Sequence, residues 1–190
     1  MRIIGGTHRG TQLAEVGAGD LGAHLRPTSD RVRENLFNIL QGGRFGDPIR
    51  DKVVLDLFAG TGALGLEALS RGARHVTFVE NGKVALRLIR ANIARLKRAA
   101  DTTVLTADVS SLGTNQMTAP ASLVFLDPPY GKGLGVQALA AAREGGWIAD
   151  DAIVVWEESA AQPAPPGFTR QDARRYGDTW ITFLTGDTWT

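Results

Sequence analysis

From residue 52 onward, apolar runs of strand length alternate with stretches of helical period. Strands are expected at Val53–Phe58, Val76–Glu80, Thr103–Thr106, Leu123–Asp127 and Ile153–Trp156, and helices at Ala63–Arg71, Lys83–Lys97 and about Leu134–Glu144. Such alternation builds a parallel sheet wrapped by helices. Before it, Arg26-Pro27-Thr28-Ser29-Asp30 reads as a helix start. Thr28 or Ser29 can cap, and Asp30 falls in the first turn, near the positive end of the dipole. Val32, Leu36, Phe37, Ile39 and Leu40 line one face of that helix, and Gly42-Gly43 ends it. The tail differs: after the break Pro163-Ala164-Pro165-Pro166-Gly167, Phe168–Tyr176 and Trp180–Leu184 flank a Gly177-Asp178 hairpin turn. Residues 1–25 are glycine-rich, with short extended pieces at Arg2–Ile4 and Thr11–Leu13. The expected organisation is a small N-terminal β-hairpin or arm (1–25) before one domain (26–190). That domain is α/β, with a mostly parallel seven-stranded sheet, helices on both faces and an antiparallel C-terminal hairpin.

Composition narrows the chemistry. With 190 residues, 43% hydrophobic and 22% charged, the chain can bury a full core as one domain. It has no cysteine, which excludes disulfides, thiolate metal sites and cysteine nucleophiles. Three scattered histidines, His8, His24 and His75, give no metal-ligand spacing, so no metal is expected. No apolar run approaches the ~18 residues of a membrane span, and the start has no signal-peptide pattern, so a cytoplasmic protein without membrane contact is expected.

Gly60-Thr61-Gly62-Ala63-Leu64-Gly65 matches G-x-G-x-x-G between a strand and a helix, the context in which the pattern binds a nucleotide. Glu80 follows 20 residues later at the next strand end, where an acid can hold two ribose hydroxyls. Those features alone also fit a nicotinamide dinucleotide. Asp56, inside the first strand, separates the readings: a carboxylate repels a pyrophosphate but attracts the ammonium and sulfonium of S-adenosylmethionine. A helix cap or loop hydrogen bond would also account for Asp56. Asp108, after the third strand, can accept from an adenine amino group or be a plain loop acid. Asp56, Glu80, Asp108 and Asp127 all fall at or near the carboxyl ends of successive parallel strands, the edge where open α/β sheets bind ligands.

Asp127-Pro128-Pro129-Tyr130 closes the fourth apolar run. A proline turn with Asp127 as a turn residue would explain Asp127-Pro128 alone. The four together can hold the exocyclic amine of a flat base. The carboxylate and a backbone carbonyl accept its two hydrogens, the rigid prolines fix the carbonyls, and the phenol ring stacks on the base.

These segments resemble class I S-adenosylmethionine-dependent methyltransferases that act on amino groups. The whole chain is similar to the bacterial 16S ribosomal RNA guanine-N2 methyltransferase family. The resemblance runs through Arg2-Ile3-Ile4-Gly5-Gly6, Arg9-Gly10, Arg26 to Glu34, Leu55 to Gly72 and Asp127 to Tyr130. It implies the Rossmann-like class I methyltransferase fold, S-adenosylmethionine as cofactor, and the small ribosomal subunit or its RNA as partner. By position, Asp56 and the loop Phe58, Ala59, Gly60, Thr61, Gly62, Leu64 and Gly65 would hold the methionine part. Glu80 with Asn81 would hold the ribose, and Asp108 with Val109 the adenine. Arg26 and Thr28, with Asp30, match a segment packed beside the cofactor. Asp127, Pro128, Pro129 and Tyr130 would be catalytic, gripping an unpaired or flipped guanine. The chain departs from the family pattern after Glu80: Asn81-Gly82 follows, where sequences of that family often place a second acid.

Arg2, His8 and Arg9 of the arm, with Arg31 and Arg33, are expected to touch RNA. Residues 71–98 hold eight basic side chains against the single acid Glu80, with Lys83, Arg87 and Arg90 on one helix face. A solvated helix surface would explain them too. Arg174 and Arg175 near the tail turn form a weaker set. Four other readings remain: a DNA adenine or cytosine amino methyltransferase, a protein glutamine methyltransferase, an NAD-dependent oxidoreductase, and a non-catalytic RNA-binding module. The first normally adds a target-recognition region for which there is no room, and the second typically has Asn where Asp127 stands. A monomer is expected.

Overall fold

Apolar runs buried on both faces pair edge to edge, as parallel strands covered by helices must. In the computed structural model, which describes residues 1–16, 28–116 and 119–188, one sheet has the order β3-β2-β1-β4-β5-β7-β6. Its strands are β1 (Val53–Leu57), β2 (His75–Glu80), β3 (Thr102–Thr106), β4 (Ala121–Leu126), β5 (Ile148–Glu158), β6 (Phe168–Tyr176) and β7 (Thr179–Gly186). β1 to β5 run parallel, and β7 pairs antiparallel with both β5 and β6, as the sequence predicts. β5 begins five residues earlier than its apolar run, because its exposed start carries Asp150 and Asp151.

Alternating side chains build two cores. Val54, Phe78, Leu123, Phe125 and Phe183 face α1 (Asp30–Gln41), α2 (Ala63–Ser70) and α3 (Lys83–Leu96). Leu55, Val124, Leu126, Val154 and Trp156 face α4 (Leu134–Glu144). Ser29 is the α1 cap, its Oγ accepting from Val32 N at 3.3 Å, while Thr28 points elsewhere.

The described part of the arm is no separate unit. Arg2 bridges Gln12, and Ile3 and Leu13 are buried in the first core. Every residue of α2 is buried, because sheet and arm cover it from opposite sides. Glu67 of α2, fully buried, accepts from Ile4 N and Gly5 N, both at 2.8 Å. Gly6 has φ +75° and lies so close to the Ser70 carbonyl that no side chain fits there. Arg26 and the boundary at residues 25 and 26 lie outside the described residues.

Candidate active site

The chain leaves β1 toward β2 and β3, and leaves β4 toward β5, so β1 and β4 are neighbours whose connections run in opposite directions. That divergence opens a crevice at their carboxyl ends. The register pairs Leu57 with Leu126, so Phe58 and Asp127 are the first residues to part, with Asp127 N donating to the Leu57 carbonyl at 3.4 Å. A cavity of about 660 Å³ fills the crevice, a volume in the usual range for a small-molecule site. It brings together Thr28, Asp56, Phe58, Ala59, Gly60, Thr61, Leu64, Glu80, Asn81, Asp108, Val109, Asp127, Pro128, Pro129 and Tyr130.

Gly62 and Gly65 stand behind the wall rather than in it, and their role is steric. Gly62 is the α2 N-cap at φ +77°, and Gly60 has φ +57°. A β-carbon at Gly65 would lie 2.8 Å from Val76 Cγ1 and 2.9 Å from Asp56 Oδ2, so only glycine lets α2 press onto the sheet. Phe58 also has a positive φ, +58°, an uncommon backbone for a bulky residue at the entrance of the loop.

Asp56 is 2% exposed, and its Oδ2 accepts from Gly65 N at 3.0 Å. The loop hydrogen bond foreseen for it therefore exists, and the side chain also borders the cavity. Burial pushes its carboxyl up to about 8; the Gly65 amide opposes that shift and the Glu80 charge adds to it. Glu80 Oε2 accepts from Gly60 N at 2.9 Å, while Oε1 accepts from Asn81 N and Gly82 N at 2.9 and 2.7 Å. One carboxylate thus ties the glycine loop to the start of α3 and still borders the cavity. Asp108 Oδ1 accepts from the hydroxyl and amide of Ser110, which hold its carboxyl below the usual range and fix its orientation at the rim.

The opposite wall is the proline-aromatic corner. The Tyr130 hydroxyl donates to Glu157 Oε1 at 3.1 Å and lies 3.2 Å from Thr179 Oγ1 at the start of β7. Burial raises the phenol pKa, keeping it a neutral donor. Glu157 Oε2 accepts from Thr28 Oγ1 at 2.8 Å. Glu158 accepts from Gly131 N at 3.2 Å and from Ser159 N at 2.7 Å. Both acids, at the end of β5, are more than nine-tenths buried and brace the corner from behind. Sequence reasoning missed them, and missed Lys132 and Ser110 on the wall.

The residues expected to touch RNA divide. Arg2, Arg9 and Arg31 border one depression of about 250 Å³, together with Asp30 and Glu34. It adjoins the main cavity along the chain, because Thr28 lines one and Asp30 the other. His8 is tied down through its backbone amide to Ser70 Oγ, with its ring against Thr7. Arg33 must be corrected: it is fully buried, donating to the Arg2 carbonyl at 2.7 Å and to Asp30 at 2.5 Å, with Glu67 3.7 Å away. Arg33 sits on the apolar stripe with Leu36, Phe37 and Leu40, where its charge joins α1 to the arm rather than meeting a ligand.

The set fits S-adenosylmethionine. A glycine cradle, a buried carboxylate suited to a cation, a carboxylate at the ribose position and an oriented acid at the rim share one cavity. Comparison with known proteins agrees with this geometry. The family model described as conserved hypothetical protein 95 matches residues 1–185. The chain is 39% identical over 165 residues to ribosomal RNA small subunit methyltransferase D of Escherichia coli strain K12, covering 87% of this chain and 78% of that protein. It is 35% identical over 165 residues to the protein of that name from Haemophilus influenzae, covering 86% and 81%. A solved structure described as the putative methyltransferase yhhF from Escherichia coli superposes with a TM-score of 0.80 at 34% identity, covering 100% of this chain and 99% of that one. The matched segment carries both the glycine loop and the proline-aromatic corner, and the chain belongs to the family of ribosomal RNA small subunit methyltransferases D.

Proposed function

We propose that this protein transfers a methyl group from S-adenosylmethionine to the exocyclic N2 amine of a guanine in small-subunit (16S) ribosomal RNA. The observation that supports this most is the opening of the glycine loop and the Asp127–Tyr130 corner into one cavity from adjacent strand ends. When bound, S-adenosylmethionine supplies an electrophilic methyl group on a sulfonium. The chain does the rest. Asp127 and the Pro128 carbonyl accept the two hydrogens of an amine whose lone pair is otherwise delocalised into the ring, so the nitrogen pyramidalises and becomes nucleophilic. The stacked Tyr130 ring fixes the plane of the base. Asp127 need not be a strong base, because the amine proton becomes acidic once the methyl has arrived. A base-paired guanine uses this same amine, so the substrate nucleotide must be unpaired or flipped. Arg2, Arg9 and Arg31 hold the flanking backbone by charge. The reading has the protein act as a monomer in the cytoplasm, where ribosomes assemble.

The test is nucleoside mass spectrometry of small-subunit RNA incubated with the protein and isotope-labelled S-adenosylmethionine. One labelled N2-methylguanosine is expected. Label on adenine, on cytosine or on a guanine ring nitrogen would overturn the reading, as would labelled DNA with unlabelled RNA.

Asp56 makes a second prediction. Its pKa of about 8 lies above the ordinary 3.8, so the neutral acid is favoured in the folded protein. That contribution to stability is complete below about pH 4 and is lost as pH rises through about 8. The ammonium group of an amino-acid ligand reverses the preference, because it is held best by the carboxylate. Binding of S-adenosylhomocysteine should therefore release a proton and tighten by up to about tenfold per pH unit between roughly pH 5.5 and 7. Titration calorimetry in buffers of different ionisation enthalpy reads both effects. Asp56→Asn should weaken binding and abolish the pH slope. A flat wild-type profile, or the same slope in the variant, would assign Asp56 to the Gly65 hydrogen bond alone.

A further inference from the structure

We propose that Lys132 holds a phosphate of the target nucleotide, so that the corner after β4 grips the guanosine unit twice, by its base at Asp127–Tyr130 and by its phosphate at Lys132; this rests on the RNA reading given above. The first observation is charge inside the cavity. Four acids line it, Asp56, Glu80, Asp108 and Asp127, and among the described residues lining it Lys132 is the one cation. Asp56, Glu80 and Asp108 are each tied by hydrogen bonds within their own wall. The Lys132 ammonium has no ion-pair or hydrogen-bond partner among the described residues. A cation left over at a site that takes two ligands is placed to meet an anionic group on one of them.

The second observation separates Lys132 from an ordinary solvated lysine: its backbone is anchored on both sides. Upstream, Gly131 N donates to Glu158 Oε2 at 3.2 Å, and Glu158 is more than nine-tenths buried. Downstream, Gly135 of α4 lies so close to the Trp156 ring that a β-carbon has no room. Both anchors belong to β5, which pairs with β4, so Lys132 is fixed to the same frame as the base corner. Gly131 and Gly133, at φ +71° and +65°, have open space where a β-carbon would stand, so they serve the left-handed turn that carries Lys132 over the cavity wall. No acid stands in the first turn of α4 to claim the ammonium.

Two anionic groups belong to the proposed ligands, the methionine carboxylate of the cofactor and the RNA phosphate, and position favours the phosphate. The methionine end is assigned to Asp56 and the glycine loop, which go with β1, whereas Lys132 lies two residues beyond Tyr130 on the connection from β4 to α4. Lys132 is also exposed, at a rim where a ribose–phosphate backbone can stay in water while its base is inside. A compact ammonium on a flexible stem suits a phosphate oxygen met from several directions. The contact forms with the base already in the corner, so it offsets part of the cost of unstacking.

The test loads the protein with S-adenosylhomocysteine and compares, by calorimetry, guanosine with its 5′-monophosphate and its 3′-monophosphate. One monophosphate should bind about tenfold tighter than guanosine, and which one does so assigns the phosphate to the 5′ or the 3′ side. Lys132→Gln should remove that preference and leave the guanosine and S-adenosylhomocysteine affinities within about twofold, while Lys132→Arg should keep most of it. On small-subunit RNA, Lys132→Gln should flatten the log–log salt dependence of binding by about 0.7, the share of one phosphate contact on a single strand. Equal affinity of the wild type for all the guanosine ligands, or a preference that survives Lys132→Gln, would overturn the proposal. So would a fall in S-adenosylhomocysteine affinity with the RNA slope unchanged, which assigns Lys132 to the methionine carboxylate. A wild type that prefers a monophosphate but methylates no guanine of the RNA would overturn the substrate reading alone.

Discussion

Asp127→Ala should lower turnover by about 10³-fold while leaving S-adenosylhomocysteine affinity within about threefold. The asymmetry follows from position. Asp127 leaves β4 at the edge of the cavity next to β1, whereas the glycine loop proposed to cradle the cofactor is tied by Glu80 and by the Gly65–Asp56 contact. In the mechanism proposed above, its loss removes one of the two acceptors that release the guanine lone pair. Glu157 and Glu158 are occupied behind it with Tyr130, Thr28, Gly131 and Ser159. Asp127→Asn should be milder, since its amide oxygen still accepts one hydrogen but its charge is gone. Stopped-assay turnover and calorimetric affinity measured on the same preparations decide the matter. A parallel fall in both would make Asp127 a structural residue and detach the clamp from catalysis.

The largest stability effect should come from Glu67→Ala, at about 3–5 kcal/mol. Glu67 is fully buried and accepts from Ile4 N, Gly5 N and Arg71 Nε, each at 2.8 Å. Truncation leaves two half-buried amides without an acceptor. It also deprives the guanidinium of Arg33, itself fully buried with Nε and one Nη lacking a hydrogen bond, of its nearest interior countercharge. Denaturant unfolding should show the loss. A change below about 1 kcal/mol would mean that water reaches the site and that the arm is held by its other contacts, Ile3 and Leu13 in the core and the His8–Ser70 and Arg33–Arg2 hydrogen bonds. Because the arm carries Arg2 and Arg9, RNA affinity should fall with stability, whereas Glu67→Gln should retain much of both.

The alternation of elements, the glycine loop and the edge shared by Asp56, Glu80, Asp108 and Asp127 were legible because each signal is local: a period, a spacing, a turn. What escaped depends on register between distant segments. Val154-Val155-Trp156-Glu157-Glu158 looks like a strand running out into solvent. The pairing of Leu126 with Trp156 instead carries both acids beneath the proline-aromatic corner. Arg33 was misplaced for a related reason. Arginine reads as surface, although its spacing to Leu36, Phe37 and Leu40 is that of the buried stripe. Glu67 had a signal too, since α2 is apolar all round and an acid in such a helix has to find a partner inside. The β5 extension was hidden by Asp150 and Asp151, which favour turns but lie on an exposed strand start.

The undivided crevice between β1 and β4 has a pharmacological consequence. On the proposed assignment of the two walls, a single compound bearing adenosine at one end and guanine at the other, joined by a tether of a few atoms, occupies both with no barrier to cross. Once either half is seated, the other is presented at an effective concentration in the millimolar range. Such a bisubstrate inhibitor would distinguish this enzyme from proteins with a similar glycine-loop wall that close their second wall with something other than a proline-aromatic corner.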